Sequence, residues 1–174
     1  MSIKFVKTRE VKSPKRAMSR EAGIDFFVPT FTEQFMSDLT DKNPKYIFDE
    51  TFMVNEDNST TKGLVILPHE RILIPAGIKL QLPSDDRALQ ANNKSGVATK
   101  KGLIFGAELV DYTYRGEVHL SLINTSNDRV EIFEGEKLIQ FVEIMIGLSE
   151  MEEVNSIDTN TERGEGAFGH TGNR

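Results

Sequence analysis

The chain contains no cysteine and no tryptophan. Without cysteine, disulfides and thiolate chemistry are excluded, and a cytoplasmic setting is allowed. Apolar residues are scarce, at 38% of the 174 residues, so some segments are expected to lie outside the core. No apolar run is long enough to span a membrane, and the first residues, MSIKFVKTREVK, lack the apolar centre of a signal peptide. A generic excess of positive charge is also missing. The formal net charge is −6 and the isoelectric point near 5.2, which argues against a general nucleic-acid binder. The expectation is a soluble cytoplasmic protein with one domain, since the length suits one core and not two.

What is present reads as β structure. Ile3 to Val11 can form a first strand, and VKSPKRAMSR, broken by Pro14, a loop. In AGIDFFVP, Asp25 sits between Ile24 and Phe26. An unpaired buried carboxylate is costly, so Asp25 either has a special role or faces water from an ordinary strand. Residues 31–62 differ in character. A short helix is expected around Glu33 to Leu39, with Phe35, Met36 and Leu39 on one face, followed by polar and acidic stretches ending in NEDNSTTKG. This insert reads as a surface excursion, partly flexible. From Leu64 to Pro83, LVILP, ILIP and IKLQLP predict three short strands punctuated by a PHER turn and an Ala-Gly turn. Leu103 to Asn124 predicts two strands joined by DYTYRGE as a hairpin, with Val118, Leu120 and Leu122 alternating with His119, Ser121 and Ile123. Val130 to Phe133 and Leu138 to Ile146 add two more. Short, regularly spaced strands without βαβ alternation indicate an all-β sandwich or barrel. Residues 147–174 read as a tail.

Four pieces carry chemistry. The DYTYRGE tip places Asp111 and Tyr114 beside a buried strand, where they could floor a pocket; equally, Asp111 could simply start a turn. In NKSGVATKKG, Ser95 reads as an N-cap and Gly102 as a stop. The helix start beside Lys94 and Lys100 is either an anion site or a capped helix with solvated lysines. In RGEGAFGHTG, glycine backbone groups and Arg163 could close around phosphates and Phe168 over a flat ring, or the piece could be a disordered tail. Its spacing is not that of a P-loop. In LIQF, Gln140 is a polar residue in an apolar strand, and the outward face of that strand also explains it.

In order, AGIDFFVP, NKSGVATKKG, ELVDYTYRGEV, GEKLIQFV and RGEGAFGHTG resemble the five motifs of the trimeric dUTPases. The resemblance implies a distorted β-barrel of jelly-roll type over residues 1–146, with an insert at 31–62, one short helix in the second motif and a flexible C-terminal arm over 147–174. It implies a homotrimer with shared sites that hydrolyses dUTP to dUMP and pyrophosphate with Mg²⁺. By position, Asp111 would activate the attacking water and Tyr114 would pack under the deoxyribose. Backbone groups of Leu109 and Val110 would read uracil. Lys94, Ser95, Gly96 and Gln140 would hold phosphates. Arg163 and Thr171 would hold the γ-phosphate, with Phe168, Gly169 and His170 closing the site. Asp25 would serve Mg²⁺ through water, the ion being held mainly by phosphates.

The chain departs from the family at four points: Lys94 replaces the usual Arg, Thr113 an Asp, Ala167 a Gly, and His170 a common Ser. Lysine lacks the fork geometry of arginine, so phosphate alignment is expected to differ. Two enzymatic alternatives share the fold, a modified-dUTP pyrophosphatase and a dCTP deaminase. The latter would need a glutamate at the base, for which Glu117 is the nearby candidate. A non-enzymatic alternative is a nucleotide-sensing protein that binds a partner through the insert.

Overall fold

The computed structural model describes residues 2–45 and 49–166. In chain order it contains β1 (Lys4–Lys7), β2 (Gly23–Asp25), α1 (Glu33–Lys42), β3 (Glu50–Val54), β4 (Thr60–Ile66), β5 (Arg71–Gln81) and β6 (Arg87–Asn93). Then follow α2 (Ser95–Lys101), β7 (Leu103–Phe105), β8 (Leu109–Val110), β9 (Glu117–Asn124), β10 (Val130–Phe133) and β11 (Ile139–Met145). Three antiparallel sheets form, ordered β1-β5-β9-β7, β10-β4-β3 and β2-β11-β6-β8. The all-β, jelly-roll expectation holds.

The core follows from the alternation. Along β9, Val118, Leu120 and Leu122 are buried while His119, Ser121 and Ile123 lie on the other face. Inward residues of the three sheets meet there, among them Leu64, Ile74, Leu89, Ile132 and Phe141. Asn124 ends β9 fully buried and satisfied. Its amide donates to the carbonyls of Ile66, Leu67 and Asp128, and its Oδ1 accepts from Ser126.

Four expectations are corrected. The predicted hairpin is not one, because β8 pairs with β6 and β9 pairs with β5 and β7. The residues between β8 and β9 therefore carry the chain from one sheet to another. The Ala-Gly turn is a bulge inside one long strand, β5, whose register with β9 shifts between Pro75 and Lys79. Gly77 sits there at φ 70°, a left-handed conformation that glycine adopts without strain. A strand over Arg87–Asn93 was not foreseen, since RALQANN carries no apolar alternation strong enough to mark it.

The fourth correction concerns residues 31–62, which are not a surface excursion throughout. Thr32 caps α1 by accepting from the Phe35 N–H. The predicted face is real and buried, with Phe35 and Leu39 at 0% exposure and Phe31 stacked on Phe35 at 5.0 Å. At the end of α1, the Asn43 side chain accepts from the Leu73 N–H and donates to the Leu73 carbonyl. It thus covers the edge of β5 beyond the point where β1 pairs with it. After residue 48 the insert becomes β3, antiparallel to β4, so its second half is an edge strand. Residues 147–166 form no helix or strand.

Because α1 is core, Leu39→Ala is expected to cost about 2–5 kcal/mol, the range for a buried leucine truncation. Urea denaturation reads this directly, and an unchanged midpoint would return α1 to the surface.

Candidate active site

Two groups of candidate residues emerge, at opposite ends of β6. At one end, Gln140 of β11 pairs with Asp25 of β2 on one side and with Asn92 of β6 on the other. Directly paired residues share a sheet face, so Asp25, Gln140 and Asn92 form one polar row. The neighbouring row, Ile24, Phe141 and Ala91, faces the core, where Phe26 and Phe141 pack at 4.7 Å.

Asp25 is 3% exposed. Its Oδ1 accepts from Lys94 and its Oδ2 from Lys137, the latter at 3.1 Å. Burial alone would raise the Asp25 carboxyl pKa; the two ammonium groups outweigh it and hold the group below the ordinary 3.8. Two cations against one carboxylate leave the cluster net positive. Lys94 also caps α2, its carbonyl accepting from the Ala98 N–H. Ser95 is thus the first helical residue, not the cap, and its carbonyl accepts from Thr99. A Cβ built on Gly96 meets nothing within 4 Å, so the backbone there faces open space. Gln140 Nε2 donates to the Asn93 carbonyl at 2.9 Å. Its Oε1 lies 2.1 Å from where a Cβ on Gly23 would be, so residue 23 must be glycine for Gln140 to lie there.

At the other end, β8 meets β6 at Leu89–Val110, which sets Asp111 level with Ala88. Six residue steps lead from Ala88 to Lys94, about 20 Å of extended strand. The structure does not bring Asp111 and Lys94 of one chain together. Asp111 is exposed and opens a turn closed by the Tyr114 N–H on its carbonyl at 3.1 Å. Leu109 is 56% exposed and Val110 buried. Tyr114, 40% exposed, lays its ring against Gly116, where a Cβ would sit 2.5 Å from the tyrosine Oη. That hydroxyl donates to the Glu117 carbonyl at 2.6 Å. Arg163 Nε donates to the Gly166 carbonyl within the arm. Phe168, Gly169, His170 and Thr171 lie outside the described residues.

Sequence reasoning missed Lys137 as the second partner of Asp25. The signal was a carboxylate flanked by apolar residues, which demands a cation; the strand register that supplies it was not visible. Glu117 is no free base. Burial would raise its pKa, but Arg9 and the Gly77 N–H hold it below the ordinary carboxylate range. Among the described residues, no three histidine, aspartate or glutamate side chains converge as a metal cage.

A sequence model of the dUTPase family matches residues 57–172. The chain belongs to the dUTPase family. It is 35% identical over 131 residues to the deoxyuridine 5'-triphosphate nucleotidohydrolase of Fusobacterium nucleatum, covering 74% of this chain and 88% of that one. Its fold resembles the dUTPase of Staphylococcus bacteriophage 80alpha solved with dUPNHPP, one of the phage dUTPases described as controlling transfer of virulence genes. The TM-score is 0.71, at 18% identity, over 98% of each chain. It also resembles the dUTPase of phage phi11 of S. aureus, in a mutant whose structure describes coordination of a structural Mg(II) ion. There the TM-score is 0.67, at 17% identity, over 91% of this chain and 99% of that one.

The Asp25 cluster has a pH signature. Its folded pKa is lowered from 3.8, so the ion pairs stabilise the fold above about pH 4 and are lost as pH falls through the lower folded value. Asp25→Asn should therefore be less stable than wild type at pH 7, with the gap closing in acid. A gap independent of pH, measured by urea denaturation, would contradict the ion-pair assignment.

Proposed function

We propose that this dUTPase-family chain is a Mg²⁺-dependent dUTP pyrophosphatase that releases dUMP and pyrophosphate, working as a homotrimer. The observation that carries the reading is the net positive Asp25–Lys94–Lys137 cluster beside Gln140 and the open backbone at Gly96. In a chain with a net charge of −6, it is a local field suited to a triphosphate. Lys94, Ser95, Gly96 and Gln140 hold phosphates. Asp111, exposed on its turn, orients and deprotonates the water that attacks the α-phosphorus. Tyr114 presents its open ring face to the deoxyribose, where a 2′-OH would clash, and backbone groups of Leu109 and Val110 meet the uracil edge. The arm, through Arg163, Phe168, Gly169, His170 and Thr171, closes over the substrate and excludes water.

The two ends of β6 lie too far apart to serve one nucleotide in a single chain. A trimer resolves this, with Asp111 and Tyr114 of one protomer facing the lysine cluster of another. Bound with the phosphates, Mg²⁺ would neutralise charge at the reacting phosphorus. Each Asp25 oxygen accepts from one ammonium and keeps a second lone pair, so Asp25 can reach the ion through water. An Mg²⁺ ion carried largely by phosphates and water suits this donor set. The deaminase alternative loses ground, because Glu117 is pinned by Arg9 and Gly77.

A second reading concerns the insert. β3 is an edge strand that exposes Phe52, Met53 and Val54 at 56%, 42% and 69%. A protein partner could add there without disturbing α1.

The test is pyrophosphate release from dUTP, dCTP, dTTP and UTP with Mg²⁺, in wild type and Asp111→Ala. Hydrolysis of dUTP alone is expected, falling at least about a hundredfold in the variant, the range for losing a positioned base. Equal rates in wild type and variant would remove Asp111 from the mechanism.

A further inference from the structure

Arg9, in the segment after β1, is gripped from two sides. Its Nε and Nη2 each donate to one oxygen of the Glu117 carboxylate at 2.8 Å, a two-pronged contact. Nη2 also lies 3.0 Å from Oδ2 of Asp38, on α1. Gln34, one turn earlier, donates to the other Asp38 oxygen and sets its orientation. The guanidinium further rests 5.7 Å above the Phe35 ring. Beyond Arg9, Glu117 accepts from the Gly77 N–H at the β5 bulge, and its carbonyl receives the Tyr114 hydroxyl. These contacts line a cleft of about 490 Å³ between α1 and β9, with Tyr114 and Gly116 at its rim.

We infer that Asp38, Arg9 and Glu117 form a relay by which the insert helix holds Tyr114 in place, making Asp38 a positioning residue for sugar selection. The inference rests on the reading of Tyr114 as the deoxyribose platform. Its physical basis is that a rim carboxylate on α1, itself fixed by core packing of Phe35 and Leu39, restrains a cation that restrains the start of β9. The Tyr114 hydroxyl is bonded to backbone at that start. Glu117 keeps a single β-pairing, with Lys79 just past the β5 bulge, so loosening Arg9 slackens this irregular start of β9 and the ring can retreat from a 2′-OH. Asp38 is linked to Arg9 of this relay and, within its own helix, to Gln34.

Asp38→Asn keeps the side-chain shape and lies at the partly exposed end of the relay. Two quantities decide. The first is the ratio of kcat/KM for dUTP to that for UTP. It is expected to fall roughly tenfold, since small displacements of positioning groups cost large rate factors, with recovery in Asp38→Glu. The second is hydrogen exchange at the Tyr114 amide, which is expected to quicken while the Leu120 amide, in the centre of β9, stays unchanged. An unaltered ratio with unaltered Tyr114 exchange overturns the relay. If wild type hydrolyses no dUTP, the functional reading falls by itself. The exchange measurement then still decides whether α1 holds the turn: faster exchange upholds the relay and unchanged exchange overturns it.

Discussion

A buried carboxylate between two ammonium groups organises one end of β6. Asp25 could not sit at 3% exposure unpaired, because removing a charge from water costs several kcal/mol. Lys94 and Lys137 meet that cost together, and in doing so they fasten three pieces of chain. Asp25 ends β2, Lys94 precedes α2, and Lys137 stands just before β11. The same pairing that stabilises the fold thus sets the position of Lys94 and the start of α2. The clasp carries more cation than anion.

The opposite end of β6 is organised by backbone crossing between sheets and by the Arg9–Glu117 ion pair at the start of β9. β8 contributes only two residues to its sheet before the chain leaves for β9 in another sheet, and Asp111 lies at that departure. Asp111, at that crossing, stays exposed. Tyr114 is held by Gly116 beneath its ring and by the Glu117 carbonyl at its hydroxyl. The insert, through α1, packs against the same region, so its first half belongs to the fold and its second half presents an edge.

Much of this was legible. The alternation in VHLSLIN marks β9 as a strand, and the flanked carboxylate of Asp25 announces an unusual environment. Phe35 and Leu39 were seen to share a helix face. What stayed hidden depends on pairing between distant segments. DYTYRGE looks like a hairpin because its flanking strands are adjacent in sequence; only the register of β8 with β6 shows otherwise. The bulge at Gly77 resembles a turn because both need a glycine at positive φ. RALQANN looks polar because its outward face carries Gln90 and Asn92. Ser95 looked like a cap, but Lys94 takes that position with its backbone alone.

In the proposed homotrimer each chain carries two half-sites, separated by the length of β6, that become whole only between copies. Mixing two inactive variants tests it most directly. Asp111→Ala lacks one half and Lys94→Ala the other, and the two can be unfolded together and refolded. Co-refolded protein should regain dUTP hydrolysis that neither variant shows after refolding alone, because some interfaces then join an intact Asp111 to an intact Lys94. If the mixture stays as inactive as its components while wild type recovers fully by the same procedure, the site is built within one chain and the claim fails.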